Sequence, residues 1–99
     1  MRLVRAGMPD SVILQMPAFR RAYQKLPAAQ RAVVDHAVRD ISANPKLGEV
    51  KKGDLAGVCV YKFPLNRQEM LLAYEWDPRT RLLLLLGSHE NFYRDLTRA

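Results

Sequence analysis

The chain has 99 residues, 48% of them hydrophobic and 26% charged, with a formal charge of +6. A chain of this length closes one hydrophobic core and hardly two, so a single domain over 1–99 is expected. The composition excludes disordered, collagenous and repeat architectures. The lone cysteine, Cys59, excludes an internal disulfide and makes a reducing cytoplasm the default compartment.

The start, MRLVRAGMPDSVILQM, carries Arg2 and Arg5, but its apolar stretch is broken by Pro9 and Asp10 and does not read as a targeting segment. The run Leu82 to Gly87 is far shorter than the roughly 18 to 20 residues a helical membrane span needs, so no membrane role is expected. Residues 1–66 hold eleven Lys or Arg against five acids, and residues 67–99 hold five of each. Such a surplus suits phosphate, acidic protein or anionic lipid, and equally a merely solvated surface.

In chain order, SVILQM (11–16) predicts a short strand. Pro17 then fits the first turn of a helix, because it donates no amide hydrogen and its φ is already helical. Phe19, Ala22, Tyr23 and Leu26 recur at the spacing of one helix face, and Pro27 ends the element. A second helix, 28–43, has Ala29, Val33, Val34, Ala37, Val38 and Ile41 as its apolar stripe and stops at Asn44-Pro45. The tight linker implies an antiparallel helical hairpin.

PKLGEVKKGDLAG (45–57), with three glycines and three lysines, reads as a basic loop. GVCVYKF follows as a strand, with Pro64 and Asn66 marking a turn, and QEMLLAYEW is the next strand. Asp77-Pro78 turns the chain into LLLLLG, whose unbroken apolar run predicts an interior strand covered on both sides. SHENFYRDLTR closes as a short helix, with Phe92 and Leu96 as its anchoring face. Helices followed by strands predict an α+β fold, the hairpin packed on one face of a small, mostly antiparallel sheet.

Three groups could carry chemistry. If Ser88 caps the last helix, His89 is its first residue, where the positive end of the macrodipole disfavours an imidazolium and leaves a proton-accepting ring. Tyr93, four residues on, shares that helix face, so the pair could address one substrate group, or could simply be amphipathic packing with polar tips in water. Lys46, Lys51 and Lys52 lie in the Gly-rich loop, where they could follow a phosphate backbone or merely be solvated. Lys62 interrupts an apolar strand and, with Arg67, could neutralise a phosphate from the open face of the sheet or snorkel at a strand edge.

His36 reads as a surface or interface residue. Two distant histidines and one cysteine make no metal site. GEVKKGDLAG lacks P-loop spacing, which argues against nucleotide triphosphate hydrolysis, and Cys59 in its strand pattern reads as inert packing.

The order of the helical hairpin, the stretch NPKLGEVKKGDLAGVCVYKF and the final GSHENFYRDL resembles the RelE/ParE superfamily of bacterial type II toxin-antitoxin toxins, from Phe19 to Leu96. The resemblance implies a small cytoplasmic α+β toxin, inhibited by a cognate antitoxin protein. RelE-like members cut mRNA on the ribosome without a metal or other cofactor by activating the ribose 2′-hydroxyl. His89 matches a C-terminal catalytic histidine of YafQ-type members, Tyr93 an aromatic four residues later, and Lys62 a basic residue on the first central strand. Lys51 and Lys52 match loosely the residues that hold RNA or ribosome, and Lys46, Arg67 and Arg94 complete the expected RNA-binding set. QEMLLAYEWDP departs from the pattern, offering Glu69, Glu75 and Asp77, whereas strongly active relatives often place additional arginine on the later strands. The ParE-like branch, which inhibits DNA gyrase, can also carry a histidine near its last strand, and remains the alternative.

Overall fold

The computed structural model describes residues 12–98. Ser11 of the expected first strand and the N-terminal stretch before it lie outside them. The order is β1 (Val12–Gln15), α1 (Pro17–Gln24), α2 (Ala28–Ala43), β2 (Glu49–Val50), β3 (Cys59–Leu65), β4 (Gln68–Asp77), β5 (Thr80–Ser88) and α3 (His89–Arg98). The fold is α+β. A five-stranded sheet runs β1-β5-β4-β3-β2, with β1 parallel to β5 and every other pairing antiparallel.

Alternation along the strands builds a core on each face. Cys59, Phe63, Leu65, Met70, Leu72, Tyr74, Leu83 and Leu86 meet Phe19 of α1 and Val34, Ala37 and Ile41 of α2. Val58, Val60, Leu71, Ala73 and Leu85 point the other way and meet Phe92 and Leu96 of α3. The leucine run is interior, as its sequence predicts, and a register shift explains how it feeds both cores. Ala73 pairs with Leu85 but Tyr74 with Leu83, so Leu84 is an extra residue, and it packs with Leu85 on the α3 side.

Three expectations are corrected. Pro64 belongs to β3 rather than to the turn, opposite Glu69. The hairpin closes through two residues alone, Asn66 and Arg67, both at positive φ (53° and 69°). Pro64 is then in a pair that exchanges no ladder bonds with β4, and β2 reaches only Val60 and Cys59, so the missing N–H costs nothing. The 45–57 segment is not merely a loop: it forms two 3₁₀ turns around β2. The α2 stripe is also narrower than expected, because Ala29 and Val33 lie exposed while Val34, Ala37 and Ile41 are buried.

A buried phenol holds the 45–50 segment in place. Tyr74 is fully buried, and its hydroxyl donates to the Pro45 carbonyl (2.6 Å) and accepts from the Gly48 amide (3.0 Å). Gly48 is required by close approach, since a Cβ there would sit 2.6 Å from that hydroxyl oxygen. Burial pushes the Tyr74 phenol up to about 12.

Arg81, only 2% exposed, anchors the opposite side. Its guanidinium donates to the carbonyls of Ile41, Ser42, Asp77 and Thr80. The first two end α2, where carbonyls lack helical partners and the dipole favours a cation.

Candidate functional site

β5 passes straight into α3, so Ser88 and His89 stand at the sheet's rim. Phe92 (2% exposed) and Leu96, one turn apart, are driven onto the sheet. That orientation leaves His89 exposed and Tyr93 half-buried on the shoulder of the helix. The imidazole and phenol rings meet edge-on, with centroids 6.1 Å apart, and Tyr93 is also edge-on to Phe92 at 5.3 Å. The sharing of a helix face that the sequence implies is therefore present.

β2 brings the first cation. The Lys51 amide donates to the Val58 carbonyl (2.8 Å), which extends the β2–β3 pairing by a residue and turns the lysine toward α3. Its ammonium lies 5.0 Å from the Tyr93 ring centroid, a cation–π contact. It also donates to Glu49 Oε1 at 2.9 Å. The hydrogen bond to Glu49 raises the Lys51 pKa above the ordinary lysine value. The same bond, then the Lys51 charge, holds Glu49 below the usual carboxylate range, and Lys62 adds to that lowering.

Lys62 is exposed and points to the α3 side, alternating with half-buried Tyr61 and buried Phe63, which face α2. It pairs with Leu71, which pairs with Gly87. One transverse row of the sheet thus leads from Lys62 to the residue just before the Ser88–His89 junction. Arg67 joins Lys62 in a shallow depression of about 410 Å³ with Pro64 and Glu69.

The other expected RNA-binding residues are Lys46, Lys52 and Arg94. Lys46 belongs to the turn that ends α2, where its amide donates to Asn44 Oδ1. Lys52 is exposed beyond Lys51. Arg94 is exposed and 3.6 Å from Asp95. His36 lies on the opposite layer, 3.5 Å from Asp40. Cys59 is buried, and burial pushes its thiol up, which leaves no accessible thiolate.

Glu49 is the member that sequence reasoning missed. Its signal was the i, i+2 spacing with Lys51, which places both side chains on one face only if the segment is a strand, and the segment reads as a loop. A larger depression of about 650 Å³ lies at the far end of α3, floored by Leu55, Val58, Leu84 and Leu96, and contains none of the candidate residues. Among the described residues, no three His, Cys, Asp or Glu side chains group as a metal site requires, and no helix is long and apolar enough to cross a membrane.

An imidazole, a phenol and two ammonium groups thus share one face. That is the equipment for moving a proton near a phosphodiester and stabilising its added negative charge.

The sequence profile of the ParE-like toxin of type II bacterial toxin-antitoxin systems matches residues 13–97. The RelBE2 toxin-antitoxin complex from Mycobacterium tuberculosis contains a chain similar to this one at 26% identity and a TM-score of 0.66, covering 82% of this chain and 99% of that one. The intact RelBE toxin-antitoxin complex of E. coli matches at 14% identity and 0.63, over 81% and 98%. A YoeB/ParE toxin from Agrobacterium tumefaciens matches at 15% and 0.61, over 78% and 96%. The two lower identities speak for the fold alone. A comparison with curated protein sequences returned no match.

Proposed function

Because the chain belongs to the ParE-like toxins of type II bacterial toxin-antitoxin systems, we propose that it arrests growth as a metal-independent endoribonuclease cutting mRNA on the ribosome. The observation that carries this reading is the contact of His89 with Tyr93 and of Tyr93 with Lys51, on the face that also presents Lys62. In the proposed reaction a ribose 2′-oxygen loses its proton and attacks the adjacent phosphorus, and the 5′-oxygen leaves with a proton. His89 serves as the acid or base, Tyr93 orients or donates, and Lys62 balances charge on the crowded phosphate. Lys51 and Arg67 hold the flanking backbone. Lys52, Lys46 and Arg94 complete the proposed RNA-binding set.

The proposed partners are the ribosome with its mRNA, in the cytoplasm, and a cognate antitoxin. Two of the similar structures are toxin-antitoxin complexes, which supports the antitoxin. An acidic or amphipathic segment would suit the basic face.

Mapping mRNA 5′ ends after brief induction tests the reaction. Cuts within translated codons are expected, lost in His89→Ala and strongly reduced in Tyr93→Phe. The ParE-like profile itself favours a second reading, non-catalytic inhibition of DNA gyrase. Arrest that survives both substitutions, with intact mRNA and an SOS response, would establish that reading instead.

A further inference from the structure

We propose that Glu49 is an internal stand-in for phosphate, held over the basic face of the free protein and displaced when a nucleic-acid backbone binds. This rests on the reading of that face as an RNA site and adds a residue that sets its affinity.

The sheet register places the carboxylate there. Glu49 pairs with Val60, so its side chain stands on the α3 face beside Val60, diagonal to Lys62 two residues on. It accepts a 2.9 Å hydrogen bond from Lys51, and Lys62 is near enough to help keep it ionised. One carboxylate therefore bonds one of the two ammonium groups that the proposed function assigns to the substrate's phosphates and stands diagonal to the other across the β2–β3 pairing.

The two partners are held very differently. The Lys51 side chain is 21% exposed and rests over the Tyr93 ring, whereas that of Glu49 is 65% exposed. The cation is fixed and the anion is free to swing away. An exposed pair of this kind contributes little, so its loss does not block binding, but it must be given up each time a phosphate takes the carboxylate's place. A surface pair's usual strength corresponds to an affinity about two- to fivefold weaker than the same face would have without it. Because the competition is electrostatic, its effect should shrink as salt shortens the Debye length.

The test is binding of a labelled single-stranded 2′-O-methyl RNA, which cannot be cleaved at the 2′-oxygen, to the intact chain, Glu49→Gln, Lys51→Ala and the double variant. The exposed Glu49→Gln should leave thermal stability unchanged. The proposal expects Glu49→Gln to bind about two- to fivefold more tightly at low salt, with the gain fading at high salt. It expects Lys51→Ala to bind more weakly, and the gain to be much smaller in the Lys51→Ala background. Unchanged or weaker binding by Glu49→Gln, while the parent binds and Lys51→Ala does not, overturns the role of Glu49 alone. Equal or absent binding across all four proteins overturns the RNA site and this proposal with it.

Discussion

Arg67 occupies a left-handed backbone region, with φ at 69°, beside Asn66 at 53°. Two-residue hairpins of this hand favour glycine at the second position, because any Cβ crowds the following carbonyl. An arginine there is a local strain held at a candidate substrate-binding site, beside Lys62. Arg67→Gly should therefore raise unfolding stability by about 1 kcal/mol in urea melts while weakening RNA binding. A loss of both properties together would mean that the arginine is structural. Tyr74 presents the opposite case, a buried phenol that works only while neutral. Its unfolded pKa is 10.0 and its folded one about 12, so between these values the unfolded state carries fewer protons and stability falls as pH rises. The contribution is fully present below pH 10 and lost on passing through 12, with a slope of up to about 1.4 kcal/mol per unit. Tyr74→Phe should cost about 1–3 kcal/mol at neutral pH, because the Pro45 carbonyl and Gly48 amide lose their partner. Its stability gap from the parent should narrow as the pH is taken above 10.

At the scale of elements, the packing of α2 against the sheet depends on a buried cation that sequence patterning does not reveal. Arg81 sits between Thr80 and Leu82, one more charge in a turn that already contains Asp77 and Arg79. Its guanidinium reaches carbonyls at the end of α2, about forty residues away in the chain. Nothing in local spacing gives that partner. The buried arginine on the later strands is thus committed to the α2 side of the sheet rather than to the basic face. Arg81→Ala should destabilise by about 3 kcal/mol or more, since several buried carbonyls lose charged donors at once. Arg81→Lys should recover only part of this, because an ammonium cannot serve the same spread of acceptors. Hydrogen exchange should localise the damage to the last turn of α2. Uniform loss of protection throughout would show that the arginine holds more than that junction.

For the whole molecule, the legible features were those set by short-range patterning. The faces of α1 and α3, the interior leucine strand and the adjacency of His89 and Tyr93 all follow from spacings of two, three or four residues. β2 was illegible because two residues carry no period, and their strand character depends on β3 and on the Tyr74 phenol far along the chain. With β2 unseen, the meeting of Lys51 with Tyr93 and the place of Glu49 could not be read either. The charge total hid a similar division. Arg20, Arg21, Lys25, Arg31 and Arg39 ride on the helical hairpin, whereas Lys51, Lys62 and Arg67 belong to β2 and the β3–β4 hairpin. The second set is the one assigned to the proposed site, so the net +6 overstates what a strand bound there would meet. Each phosphate neutralised by a single-stranded ligand contributes about 0.7 to the slope of log affinity against log salt, which makes the division measurable. Replacing Lys51, Lys62 or Arg67 by alanine should reduce that slope by about 0.7 each, while Lys25→Ala leaves it unchanged. His89→Ala and Tyr93→Phe should keep the slope and change stability by no more than about 0.5 kcal/mol, since neither removes a buried side chain, yet abolish or strongly reduce cleavage. If Lys25→Ala lowers the slope as much as Lys62→Ala does, the strand runs over the hairpin and the basic face of the sheet is not where RNA binds.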